Sequence, residues 1–74
     1  MLTATQIQEL ASRKGVRRTA VENFLTTLGN EGAAGERGAR LNLAQDARDY
    51  RWNAATQSAI QRGINLYFKR GKRR

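Results

Sequence analysis

Chemistry in a 74-residue chain has to come from the side chains able to carry it, and here few qualify. There is no histidine and no cysteine. That removes the commonest proton shuttle, the thiol nucleophile, disulfide staples and the common zinc ligands. Acid–base or nucleophilic work would fall to Ser, Lys, Tyr or carboxylates, and none of these is grouped. Asp46 and Asp49 stand three apart, which supplies too few oxygens for a hard cation. Pairing with Arg48, Arg51 or Arg13 is the simpler role for them, and Glu9 and Glu22 read as partners of nearby cations. The expectation is a protein that is not an enzyme and takes no cofactor and no metal.

The residues that do stand out are cations. The stretch SRKGVRRTAV, residues 12–21, sets Arg13, Lys14, Arg17 and Arg18 on either side of a Gly15-Val16 pair. A second run, KRGKRR, ends the chain with Lys69, Arg70, Lys72, Arg73 and Arg74. In all, 14 Lys+Arg face 6 Asp+Glu, a net +8. Such a balance speaks of partners, and the obvious partner is a phosphate polymer. Eleven of the cations are arginine, which suits bidentate contact with phosphate or guanine. Residues 1–68 alone hold nine cations and six acids, so the body is mildly basic and the tail supplies most of the excess.

These residues need elements to hold them. Proline is absent, and apolar residues recur at helical spacing with no strand-like alternation. A first helix is expected from Ala4 to Lys14, capped by Thr3 or Thr5 with Gln6 or Gln8 three residues on, and stopped by Gly15. A second runs from Arg17 to Leu28, with Ala20, Val21, Phe24, Leu25 and Leu28 as its stripe, and Gly29-Asn30 ends it. Residues 29–38, GNEGAAGERG, read as a mobile glycine-rich linker. A collagen triplet is rejected for want of length and proline, and a phosphate loop for want of a preceding strand. A third helix is expected from Asn42, capped by Asn42 with Gln45, with Leu43, Ala44, Ala47 and Tyr50 inward. A fourth runs from Ala54 to Lys69, capped by Asn53. Tyr50 and Trp52 could stack on bases, but core is the favoured place for them. The expected fold is thus all-α: a small four-helix domain over residues 1–68, its C-terminal helix pair spanning 42–68, with a basic tail at 69–74.

The segment IQELASRKGVRRTAVENFL, residues 7–25, resembles the helix-turn-helix of phage repressor and Cro-type DNA-binding proteins. The likeness rests on Ala11 within the first helix, Gly15 at the turn, Val16 after it, and Ala20, Val21 and Phe24 in the second helix. It departs from that pattern at Lys14, where an apolar residue is usual. The resemblance implies that helix two enters the major groove and presents Arg17, Arg18, Thr19, Glu22 and Asn23 to bases, while Arg13 and Lys14 contact phosphates. Gly15-Val16, Val21, Phe24-Leu25 and Gly29-Asn30 also resemble three-helix interaction modules of the ubiquitin-associated type.

The expected function is therefore a small basic DNA-binding protein, a bacterial or phage transcription regulator or nucleoid-associated accessory factor. Its DNA-binding residues would be Arg13, Lys14, Arg17, Arg18, Thr19 and Asn23 with the tail cations Lys69, Arg70, Lys72, Arg73 and Arg74. Helix four is a candidate homodimer interface, since two-fold symmetry would suit a palindromic site. The alternatives are a protein-interaction module or an RNA-binding accessory protein. No window reads as a membrane span or a secretory signal, so a cytoplasmic location is expected.

Overall fold

The computed structural model describes residues 2–31 and 35–68; the tail cations Lys69, Arg70, Lys72, Arg73 and Arg74 lie outside the described residues. It is all-helical, with four helices: α1 Ala4–Ala11, α2 Arg18–Glu31, α3 Gly35–Asp49 and α4 Ala54–Tyr67. No strand occurs among the described residues, and none of the described helices is long and apolar enough to cross a membrane.

Helix α1 starts where its cap dictates. The Gln6 amide donates to Thr3 Oγ1 at 3.1 Å and the Thr3 amide donates to Gln6 Oε1 at 2.9 Å, a reciprocal capping box. The helix then stops three residues earlier than the sequence suggests. Its last carbonyls turn to Ser12, whose hydroxyl also donates to the Gln8 carbonyl at 2.7 Å. Lys14 and Gly15 therefore lie in a separate turn, Arg13 to Val16, closed by the Val16 amide donating to the Arg13 carbonyl at 3.1 Å. Gly15 is its third residue with φ +80°, the left-handed value a type II turn needs there.

The glycine-rich segment is the main correction. Gly29-Asn30 does not end helix two, because α2 continues to Glu31, and α3 begins at Gly35 instead of Asn42. Asn42 is a mid-helix residue and caps nothing. Of the expected linker, only residues 32–34 lie outside the description; 35–38 form the first turn of α3. Glycine inside a helix costs about 1 kcal/mol relative to alanine. That penalty is outweighed when the helix buries a stripe, and Ala39, Leu43 and Ala47, four residues apart, are buried against α4.

Helix α4 is the centre of the molecule. It packs on α1, α2 and α3, and its buried residues are Thr56, Ala59, Ile60, Gly63 and Ile64. Leu10 and Ala11 of α1, Val21, Leu25 and Leu28 of α2, and Trp52 complete the core. Gly63 lets α2 approach closely: a Cβ there would stand 2.6 Å from both Leu25 methyls. Because α4 uses its apolar stripe within the chain, its outer face is polar, with Gln57, Ser58, Arg62 and Asn65 exposed. That face lacks the apolar surface expected of a dimer contact through helix four.

Candidate nucleic-acid interface

The two short connections of the fold, residues 12–17 and 50–53, come together at one end. Two hydrogen bonds join them, and a third ties the first connection to the start of α4. The Asn53 side-chain amide donates to the Gly15 carbonyl at 2.8 Å. The Arg17 amide donates to Thr56 Oγ1, also at 2.8 Å, and an Arg17 guanidinium nitrogen donates to the Tyr50 carbonyl at 3.2 Å. Asn53 is anchored in turn as the N-cap of α4, accepting from the Thr56 amide at 2.9 Å. Thr56 is fully buried, the one buried polar side chain in the core of the described residues.

The second connection owes its shape to the end of α3. The Trp52 amide reaches back to the Ala47 carbonyl at 3.0 Å, and Arg51 between them has φ +54°. This is a Schellman-type ending, in which the left-handed residue is usually glycine. Here it is an arginine with its side chain exposed.

The result is a strongly polarised charge distribution. Residues 12–18 and 48–53 hold six cations and one acid, namely Arg13, Lys14, Arg17, Arg18, Arg48 and Arg51 against Asp49. The rest of residues 1–68 holds three cations and five acids. All six of those cations are exposed. Arg13 and Lys14 follow the C-terminus of α1 and Arg51 that of α3, where cations also favour the helix dipole. At the start of α2 the residue before the first turn is Arg17, which has no acceptor to offer. The amides of Arg18, Thr19 and Ala20 are thus left without a side-chain cap from that position.

The six DNA-binding candidates of the body fall in three places. Arg18 pairs with Glu22 at 3.2 Å on the outer side of α2, both side chains largely exposed. Arg17, Thr19 and Asn23 instead line a groove of about 680 Å³ between α2 and α3. Asn42 and Asp46 of α3 stand opposite them, and Phe24, Leu28, Ala39 and Trp52 form the inner wall. Arg13 and Lys14 are exposed in the turn itself. The connection of six residues between α1 and α2 is longer than the three or four residues usual in a helix-turn-helix.

Trp52 lies where it was expected and Tyr50 does not, and one further residue joins the site. Trp52 is core, 8 % exposed, with Phe24 edge-on to it at 6.2 Å. Tyr50, expected inward, is 61 % exposed and stacks on Trp52 at 5.8 Å with 20° between the rings. Its amide still closes the last turn of α3 on the Asp46 carbonyl at 2.8 Å, and its ring lies over Trp52 instead of within the core. Arg51 joins the basic end only through the tertiary pairing of the two connections. A sequence signal for it exists, the spacing from the Ala39–Leu43–Ala47 stripe to the Asn53 cap, which fixes where α3 must end. Among the described residues, no cluster of acidic side chains could hold a metal ion. Comparison of the chain with protein-family models, with curated proteins and with solved structures gave no match.

Proposed function

We propose that the protein binds DNA through its basic end, as a small transcription regulator or nucleoid-type accessory factor. The observation that carries the reading is the polarity of charge: over residues 12–18 and 48–53, the two connections and the helix ends beside them, six exposed cations stand against Asp49, with Glu22 paired to Arg18, while the rest of residues 1–68 is net acidic. A polyanion approaching this protein is steered to that end. The tail adds a second contact. Lys69 follows α4, whose 14 residues at ~1.5 Å each make it about 21 Å long. Phe68, the last described residue, stands at the end of α4 away from the basic end, a distance of roughly six base pairs of duplex at 3.4 Å per step. The two sites together reach over more phosphate than either alone.

The test is a binding titration with mixed-sequence duplex DNA at two salt concentrations. Intact protein is compared with Arg17→Ala/Arg18→Ala and with a form carrying glutamine at Lys69, Arg70, Lys72, Arg73 and Arg74. Both changes should weaken binding and flatten its salt dependence, by about 0.9 in log–log slope for each phosphate that is no longer neutralised. No binding by intact protein at low salt refutes the reading. A second reading, a protein-interaction module, draws on Phe24, Leu28 and Trp52 along the groove. Binding through that apolar wall would hold its strength as salt rises.

A further inference from the structure

We propose that the exposed ring of Tyr50 is a stacking platform for an unpaired nucleobase, with Arg17 beside it to hold the adjoining phosphate. This rests on the nucleic-acid reading above and adds what kind of nucleic acid is preferred. Tyr50 is braced against motion. Trp52 lies against one face at 5.8 Å, and Trp52 is itself fixed by burial and by the edge of Phe24 at 6.2 Å. The ring nonetheless stays 61 % exposed at the mouth of the α2–α3 groove. A rigid, solvent-facing aromatic inside a cationic patch is the arrangement single-strand binders use, since every base has a π-face to stack.

Arg17 supplies the partner charge. Its guanidinium has five N–H donors, and the bond to the Tyr50 carbonyl uses one nitrogen only. The others can meet a phosphate while that bond keeps the group next to the ring. Asn23 and Asn42 face one another across the groove and offer amide donors and acceptors to a base edge. The groove, about 680 Å³, falls within the range of small-ligand sites. An apolar peptide would use Phe24 and Leu28 but leave the cationic mouth unpaired. A base attached to its phosphate uses both.

The experiment compares a DNA hairpin carrying one unpaired base in its stem with the same hairpin fully paired, for intact protein, Tyr50→Ala and Tyr50→Phe. Because the Arg17 bond goes to the Tyr50 backbone, both variants keep it. Intact protein should bind the unpaired-base hairpin about five- to tenfold more tightly, a range within base–aromatic stacking. Tyr50→Phe should keep that preference. Tyr50→Ala should lose it, with affinity for the paired hairpin within about twofold of intact protein. Equal affinity of intact protein for the two hairpins overturns the proposal, as does a Tyr50→Ala loss that is the same for both. If the two hairpins bind equally well, this inference alone falls; if neither hairpin binds, the DNA reading falls with it.

Discussion

Replacing Thr56 with valine removes one oxygen and keeps the shape. That oxygen accepts the Arg17 amide at 2.8 Å, and Thr56 is fully buried between α4 and the α1–α2 connection. Threonine and valine have similar helix propensities, so α4 itself is little affected. The change strands a part-buried donor. A net hydrogen bond is worth ~0.5–1.5 kcal/mol, and a buried donor left without a partner costs ~1–3 kcal/mol. With Arg17 itself exposed and the bond only part-buried, the lower half of that range applies, about 1–2 kcal/mol. For a domain of this size the melting temperature should fall by roughly 5–15 °C. Far-UV circular dichroism against temperature and urea reads the global loss. Amide exchange reads the location: the Arg17 amide should exchange about tenfold faster beyond the global change. A stability loss below about 0.5 kcal/mol, or unchanged protection at Arg17, would refute the claim that this bond fastens the α1–α2 connection to α4.

Three further outcomes are expected. Gly15→Ala should destabilise by about 1–2 kcal/mol in urea unfolding, all of it from the left-handed backbone, since its Cβ would meet Ala55 only at an ordinary 3.6 Å. Gly63→Ala should also destabilise on balance, by about 1 kcal/mol: overpacking against Leu25 costs ~1–3 kcal/mol and exceeds the ~0.8–1.0 kcal/mol gained in helix propensity. Arg51→Gly should do the opposite, raising stability by about 0.5–1 kcal/mol by relieving the positive φ while weakening DNA binding at low salt; a variant both less stable and equally well bound would contradict this.

Much of the fold is legible residue by residue. Thr3 with Gln6 and Asn53 with Thr56 cap α1 and α4 as local rules require, and the α2 stripe of Val21, Leu25 and Leu28 is buried as its spacing indicates. The misplaced boundaries of α2 and α3 share one cause. Gly29, Gly35 and Gly38 weaken helix locally, so a local rule writes a loop there. The helices persist because Ala39, Leu43 and Ala47 gain burial on α4, an element some twenty residues later in the chain. Tyr50 is a separate case: it closes the last turn of α3 with its amide on the Asp46 carbonyl, but its ring lies over the outside of Trp52, a placement set by the tertiary position of Trp52 and not by helical spacing. In the candidate site, Arg13, Lys14, Arg17 and Arg18 were visible as a cluster, whereas their juxtaposition with Tyr50 and Arg51 is made by bonds spanning 33 to 39 residues.

The groove follows from the same topology. Since α4 packs on all three other helices, α2 and α3 are each held without needing to close on one another. Their facing polar residues, Asn23, Thr27, Asn42 and Asp46, have no apolar stripe to bury together, so the space between them stays open to a ligand. At its mouth, α3 ends in a left-handed arginine where glycine would fit with less strain. Strain of that kind persists where the surroundings hold it, and here the Trp52 amide bond and the burial of Trp52 fix the turn. The same turn leaves the Tyr50 ring braced by Trp52 and exposes the Arg51 side chain among the other cations. One ending of one helix thus supplies a charge and an aromatic surface to the basic end, at a cost in backbone strain that the Arg51→Gly measurement would reveal.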